Sequence, residues 1–180
     1  MNDLSLHIID IIQNSLSAGA SLIGLTVDEQ PAAGRLTVTI KDDGQGMEAA
    51  QVDRLSDPFF TSRTTRRVGM GIPLYTQSAR QAGGDVTVSS TPGEGTTVEA
   101  WFDMNNIDLP PMGDIPGAVV LMASANPGTE FVFEYIYAGE SYVFDTRQVR
   151  EALGGLPLSD PGVMNAVTEM MENNIRTIKL

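Results

Sequence analysis

The sequence predicts an α+β fold. Three observations carry that expectation. Stretches with apolar residues at the 3.6-residue helical period and stretches that alternate apolar and polar residues both occur. They follow one another as helix, strand pair, long polar loop, helix, strand pair, and then a further run of mixed elements. The composition, 42% hydrophobic and 19% charged over 180 residues, is that of a chain able to bury a core, and the length suits one domain or one domain with an appendage.

Residues 4–18 read as a helix with Ile8, Ile9, Ile11, Ile12 and Leu16 around most of its circumference, as in a largely buried helix, and Gly19 as its stop. Residues 22–28 and 35–41 read as strands, the second placing Leu36, Val38 and Ile40 on one face, with Gln30-Pro31-Ala32-Ala33-Gly34 as the turn between them. Residues 42–71 form a long loop rich in Gly, Asp, Ser and Thr, with one short helical stretch at 49–55. A helix over 72–82 carries Pro73 in its first turn and ends at Gly83-Gly84. Strands at 85–91 and 96–103 form a hairpin around Pro92-Gly93-Glu94-Gly95.

After Asp103 the composition changes, and residues 105–116, rich in Asn, Asp and Pro, read as a boundary. The expected division is a domain over 1–104 and a smaller α/β extension over 105–180. In the extension a helix is expected at 115–124, a hairpin from 130–137 and 141–145, and helices at 146–153 and 160–177. The strand residues Phe131, Phe133, Tyr135 and Tyr137 alternate with Val132, Glu134 and Ile136, so both faces carry apolar groups.

The residue inventory excludes whole classes of chemistry. With no cysteine there is no disulfide, thiolate zinc site, iron–sulfur cluster or cysteine nucleophile, which fits a reducing cytosol. The one histidine, His7, rules out a two-histidine metal site. No run of about 18 apolar residues and no signal-peptide pattern occurs, so a cytoplasmic protein that does not act at a membrane is expected. The net charge of −12 argues against nucleic acid as a partner. That charge is uneven: residues 1–34 carry four acids and no base, residues 35–84 five acids and seven bases, and residues 85–180 fourteen acids and four bases. Arg63, Arg66 and Arg67 cluster in the basic middle.

Four segments ask for a chemical explanation. On the first helix Asp10 and Asn14 lie one turn apart on one face, in line with His7 and Ser17. The second strand runs into Asp42-Asp43-Gly44-Gln45-Gly46-Met47, where alternate glycines let backbone approach a flat ligand while a carboxylate accepts from an amino group. Gly69-Met70-Gly71-Ile72 opens a helix, and the free N–H groups there suit phosphate, although read alone the segment equally suits a plain turn into a helix. Upstream, Thr61-Ser62-Arg63-Thr64-Thr65-Arg66-Arg67 combines hydroxyls and guanidiniums able to close on anionic groups.

In that order the segments resemble the boxes of the GHKL ATPase superfamily, which joins DNA gyrase, MutL and sensor histidine kinases; the resemblance covers about residues 4–103 and is nearest to the histidine-kinase-like ATPase domains. It implies a two-layer α/β sandwich, the Bergerat fold, with a mixed sheet and helices on one face. It implies that Asp10-Ile11-Ile12-Gln13-Asn14 is the N box, with Asn14 on a magnesium ion and Ala18 at the nucleotide. Asp42 would recognise the adenine amino group, with Gly44, Gly46 and Met47 around the base. Phe60, Thr61, Ser62, Arg63, Arg66 and Arg67 would belong to the ATP lid. Val68, Gly69, Met70, Gly71 and Ile72 would form the phosphate-binding box, and Thr96 would join them from the last strand pair.

The departures from the family pattern shape the expected function. Hydrolysing members carry glutamate where Asp10 stands, so Asp10 is the candidate general base, one methylene shorter. A histidine kinase's phosphoacceptor hairpin has no counterpart before residue 4, and His7 is expected to pack beside the N box. The resemblance therefore implies a stand-alone, regulatory Mg-ATP-binding protein that passes phosphate to a partner. The alternatives are a weak ATPase whose lid closure switches a partner surface, and a non-catalytic ATP-sensing module, with a hydrogenase association among small relatives. The acidic extension would suit a basic protein partner, with a homodimer among the possible states.

Overall fold

The computed structural model describes residues 3–55 and 71–180. Six strands form one sheet: β1 (Leu22–Gln30), β2 (Arg35–Asp42), β3 (Asp85–Thr91), β4 (Gly95–Asp103), β5 (Glu130–Tyr137) and β6 (Glu140–Asp145), in the order β3-β4-β2-β1-β5-β6. Every neighbouring pair is antiparallel except β1 and β5, which run parallel, so the sheet is mixed. The helices among the described residues are α1 (Leu4–Ser17), α2 (Ala49–Leu55), α3 (Gly71–Gln81), α4 (Ile115–Ala125), α5 (Thr146–Leu153) and α6 (Pro161–Ile178). No described helix is long and apolar enough to cross a membrane. The α+β class, the mixed sheet and the two layers are as expected.

Strand alternation sorts the sheet into two faces. Ile23, Leu25 and Val27 of β1 stand beside Leu36, Val38 and Ile40 of β2 and Phe131, Phe133 and Tyr135 of β5, all buried beneath the helices. Thr26, Thr37 and Thr39 take the other face, where Arg35 lies over the Trp101 ring at 4.4 Å. On β5 the outer-face residues Val132 and Ile136 are half-buried, so the apolar groups expected on both faces of this strand are fully covered on one. Residues 105–180 continue both sheet and core: β5 extends the sheet from β1, and Val119, Val120 and Met171 join the same apolar cluster as Ile8 and Ile12.

Four of the ten acids after residue 104 are used within the fold. Asp114, Asp145 and Asp160 each cap a helix, accepting from the N–H groups of Gly117, Arg147 and Val163. Each cap of this kind stabilises its helix by about 1 kcal/mol. Glu130 also takes a two-pronged contact from Arg150 at 2.7 and 2.9 Å.

Candidate functional site

Helix α1 crosses the sheet with Leu4, Ile8, Ile11 and Ile12 at 0–2% exposure. Ser15 continues this stripe and is itself buried, while Asp10 is exposed and Asn14 half-buried on the adjoining face. At the matching end of the sheet the inner face turns polar. Asp42, the last residue of β2, stands opposite Thr96 of β4, which stands opposite Ser90 of β3. This row runs under Ser15, and the Ser15 hydroxyl donates to Asp42 Oδ2 at 2.6 Å. Asp42 Oδ1 accepts the Gly44 N–H at 2.9 Å.

A cavity of about 200 Å³ opens above this row. Ile11, Met47, Leu55, Ile72 and Val98 supply its apolar walls, and Asn14, Ser15, Asp42 and Thr96 its polar groups. Asp42 is only 8% exposed, and among the described residues no cation pairs with it. The cavity is therefore largely apolar, with a few convergent polar groups, which is how small-ligand sites are built.

The glycines of this region serve the protein's own backbone. A Cβ on Gly46, whose φ is +70°, would lie 2.1 Å from the Thr91 carbonyl oxygen, and one on Gly95 would lie 2.0 Å from that of Asp42. Without side chains there, the 42–47 loop packs against the β3–β4 turn, with the Gly93 N–H donating to the Gln45 carbonyl at 2.7 Å. The Gln45 N–H donates to the Ala18 carbonyl at 2.9 Å, so the loop is tied to the end of α1 as well. Gly46 stands at the cavity wall as well as against the β3–β4 turn.

Helix α3 begins directly over the Asp10–Asn14 face. A Cβ on Gly71 would stand 3.4 Å from Asp10 Cβ and 3.7 Å from Asn14 Nδ2, which is ordinary contact. The positive end of α3 is thus aimed at the rim that carries both polar side chains. His7, one turn before Asp10 and His7-stacked ring to ring on Tyr75 of α3 at 5.1 Å, is 3% exposed. Burial lowers its pKa against the smaller upward pulls of Asp10 and Asp3. His7 Nε2 and the Tyr75 hydroxyl have no hydrogen-bond partner among the described residues.

Of the residues singled out from sequence, Asn14, Ala18, Asp42, Gly46, Met47, Ile72 and Thr96 line this one cavity. Gly44 packs beside it on Ala18, while Asp10 and Gly71 meet at its rim. Phe60, Thr61, Ser62, Arg63, Arg66, Arg67, Val68, Gly69 and Met70 lie outside the described residues. No group of three or more His, Asp or Glu side chains able to hold a metal ion occurs among the described residues. Sequence reading passed over Ser15, Ser90 and Asp43. Ser90 accepts the Met47 N–H at 2.8 Å and contacts the Thr96 hydroxyl at 2.7 Å. Its signal was its place on the inner side of β3, in line with Val86 and Val88; Ser15 likewise ends the Ile8–Ile11–Ile12 stripe.

The family model described as "Histidine kinase-, DNA gyrase B-, and HSP90-like ATPase" matches residues 2–106, more than half of the chain. The chain belongs to this ATPase family. Among curated relatives of this histidine kinase-like chain, the sensor histidine kinase ZraS of Escherichia coli strain K12 is 32% identical over 92 residues, 51% of this chain and 19% of that protein. Sporulation kinase C of Bacillus subtilis is 24% identical over 98 residues, 54% of this chain and 23% of the kinase. The match thus spans about a fifth of those relatives' length. Among solved structures, the Aquifex aeolicus MutL ATPase domain complexed with ADP superposes with a TM-score of 0.52 at 15% identity, covering 86% of this chain and 70% of that one. That likeness reaches beyond residue 106 and shows the fold of the histidine kinase-like ATPases in this chain.

Proposed function

We propose that the chain binds Mg-ATP in the Asp42 cavity and presents the γ-phosphoryl group to a histidine or serine of a separate partner protein, as a regulatory member of the histidine-kinase-like ATPases. The observation that carries the reading is Asp42 itself. It is a buried carboxylate at the base of a largely apolar cavity, with one donor on each oxygen and no cation beside it among the described residues. A carboxylate has about four acceptor sites, so capacity remains for the amino group of a base held between Ile11, Met47, Ile72 and Val98. Membership of the ATPase family supports adenine as that base.

The phosphate end follows from the rim. The first N–H groups of α3 and its dipole favour an anion there, and Arg63, Arg66 and Arg67 add the cationic side chains that the two lysines of the chain do not. Asn14, half-buried at the cavity, would offer its side-chain oxygen to a magnesium ion, in keeping with the few protein ligands this metal takes beside phosphates. When bound, the ion supplies charge neutralisation to the triphosphate. Asn14 orients the phosphates and Asp42 the base, so the chain contributes chiefly positioning.

One observation favours hydrolysis as a second reading. Asp10 is exposed beside Asn14 and Gly71, where a carboxylate can take a proton from water. Incubation with γ-labelled Mg-ATP, alone and with cell extract, separates the two. Acid-resolved label on a second protein supports transfer; phosphate release from the chain alone, abolished in Asp10→Ala, supports hydrolysis. Absence of any Mg-dependent ATP binding overturns both.

A further inference from the structure

Asp43 follows the base-recognising residue and points away from the cavity. Its carboxylate takes three donors from one turn: the Ser21 N–H at 2.7 Å, the Ser21 hydroxyl at 2.6 Å and the Leu22 N–H at 3.0 Å. Those bonds hold its pKa below the usual carboxylate value, so the clamp stays charged through the physiological range. The side chain is largely exposed, so burial does not explain why three bonds converge on it.

The partner turn joins α1 to β1 and is held from its other side. The Ser21 carbonyl accepts the Glu130 N–H at 2.8 Å, and the Ala20 carbonyl accepts the Thr129 hydroxyl at 3.2 Å. The anchor is therefore fixed to β5 and to the end of α1 by bonds that do not involve the 42–47 loop. The same turn region takes the Gln45 N–H at Ala18, two residues along the loop from Asp43. Both fastenings bracket Gly44, whose N–H sets one oxygen of Asp42; a Cβ there would lie 2.9 Å from Ala18 Cβ. Ser15, which sets the other oxygen, sits on the last turn of the helix that ends at this anchor.

We infer that Asp43 is a positioning residue for base recognition: by clamping the 42–47 loop to the Ser21–Leu22 turn it fixes the angle at which the Asp42 carboxylate meets the base. This rests on the nucleotide reading of the cavity. It adds a division of labour between adjacent aspartates, one meeting the ligand and one holding the first in register with α1. The phosphate end, built from Asn14 and the start of α3, does not share this clamp.

The experiment is competition binding of ATP and ITP, whose 6-oxo group replaces the adenine amino group, to the wild type, Asp43→Ala, Asp43→Asn and Ser21→Ala, with melting temperatures recorded alongside. Loss of orientation at a hydrogen-bonding site erodes discrimination before it erodes all binding. The expected result is a fall of about tenfold in the ATP-over-ITP preference for Asp43→Ala and of roughly threefold for Ser21→Ala, which keeps two of the three bonds, with ITP affinity nearly unchanged. Asp43→Asn, retaining an acceptor for the N–H groups, recovers most of the preference. An unchanged ratio in Asp43→Ala and Ser21→Ala, or equal losses for both nucleotides tracking melting temperature, overturns the positioning role. Failure of the wild type to bind either nucleotide is a different result and overturns the reading of the cavity. Should Asp43→Ala not fold, Ser21→Ala decides the ratio.

Discussion

Two carboxylates end the inner face of adjacent strands, at opposite ends of the sheet, and the protein treats them differently. Asp42 closes β2 and Glu29 lies near the end of β1; they are 8% and 7% exposed. Glu29 is matched by a cation of the fold, both of its contacts falling on Oε2. Tyr135 donates its hydroxyl to it, Lys179 Nζ pairs with it at 2.8 Å, and that ammonium lies 5.0 and 5.6 Å from the Tyr135 and Tyr137 ring centres. Asp42 has hydroxyl and amide donors, no described cation, and a cavity beside it. A buried charge matched by the chain's own cation anchors structure; one with no such cation, beside open volume, is the one to test for a ligand.

The largest test of that contrast is Asp42→Asn. The amide oxygen can still accept from Gly44, and the amide nitrogen can donate to the Ser15 hydroxyl, so folding stability is expected to move by less than about 1 kcal/mol. Affinity for ATP is expected to fall about 100-fold, because a donor then faces a donor. Calorimetric titration beside thermal melting checks both halves. A melting point that collapses with the affinity would make Asp42 as structural as Glu29.

Lys179→Met is the mirror experiment. It strands Glu29 with one hydrogen bond, and because Lys179 keeps 36% of its side-chain exposure the cost is expected to be about 1–2 kcal/mol, short of that for a wholly buried pair. The melting temperature should drop by roughly 3–6 °C at this chain length, with ATP affinity unchanged. The double variant Glu29→Gln/Lys179→Met should recover most of the loss, since no charge is then stranded.

The contrast between the two ends also explains how far the sequence could be read. Helix and strand positions follow from periodicity and stops: the strands at 85–91 and 130–137 fall where alternation and Gly83-Gly84 put them, and the helix at 146–153 where it was expected. Asp42 was legible because an acidic strand end followed by alternate glycines is a local pattern. The Glu29–Tyr135–Lys179 cluster was not, since it joins residues 106 and 150 positions apart through a parallel pairing of β1 with β5 that no local pattern encodes. Parallel neighbours need a long crossover, and its endpoint is set by packing. For the same reason the extension read as a separate unit in composition, whereas its strands lengthen the first sheet. Asp43 was hidden by proximity, its role resting on Ser21, a residue brought near only by the β1–β2 register.

A smaller effect is expected at Ser90, which supports the site without lining it. Ser90→Ala removes the acceptor of the Met47 N–H and the partner of Thr96, while Gly95 loses one donor. Loss of these three neutral bonds should weaken ATP binding by about fivefold and leave the melting point within about 3 °C of the wild type. Nucleotide titration that shows no change would confine the polar row to Asp42 and Thr96.

The smallest effect concerns His7, the buried polar group that neither carboxylate explains. Burial lowers its pKa below the ordinary 6.5, with Asp10 and Asp3 pulling weakly upward and the Tyr75 ring stacked on it. Between its folded value and 6.5 the unfolded chain therefore binds more protons, so stability rises with pH across that window, is complete above it and is flat below it. The slope cannot exceed about 1.4 kcal/mol per pH unit for one group. Asp43 and Asp145, lowered by their hydrogen bonds and by Arg147 in the case of Asp145, add losses in a separate window as pH falls below their ordinary 3.8. Melting curves from pH 8 to pH 4.5 should thus show a shallow decline beginning near 6.5 in the wild type and absent in His7→Phe, whose ring can keep the stack on Tyr75. An identical decline in both would assign it to another group and leave His7 as a spectator between α1 and α3.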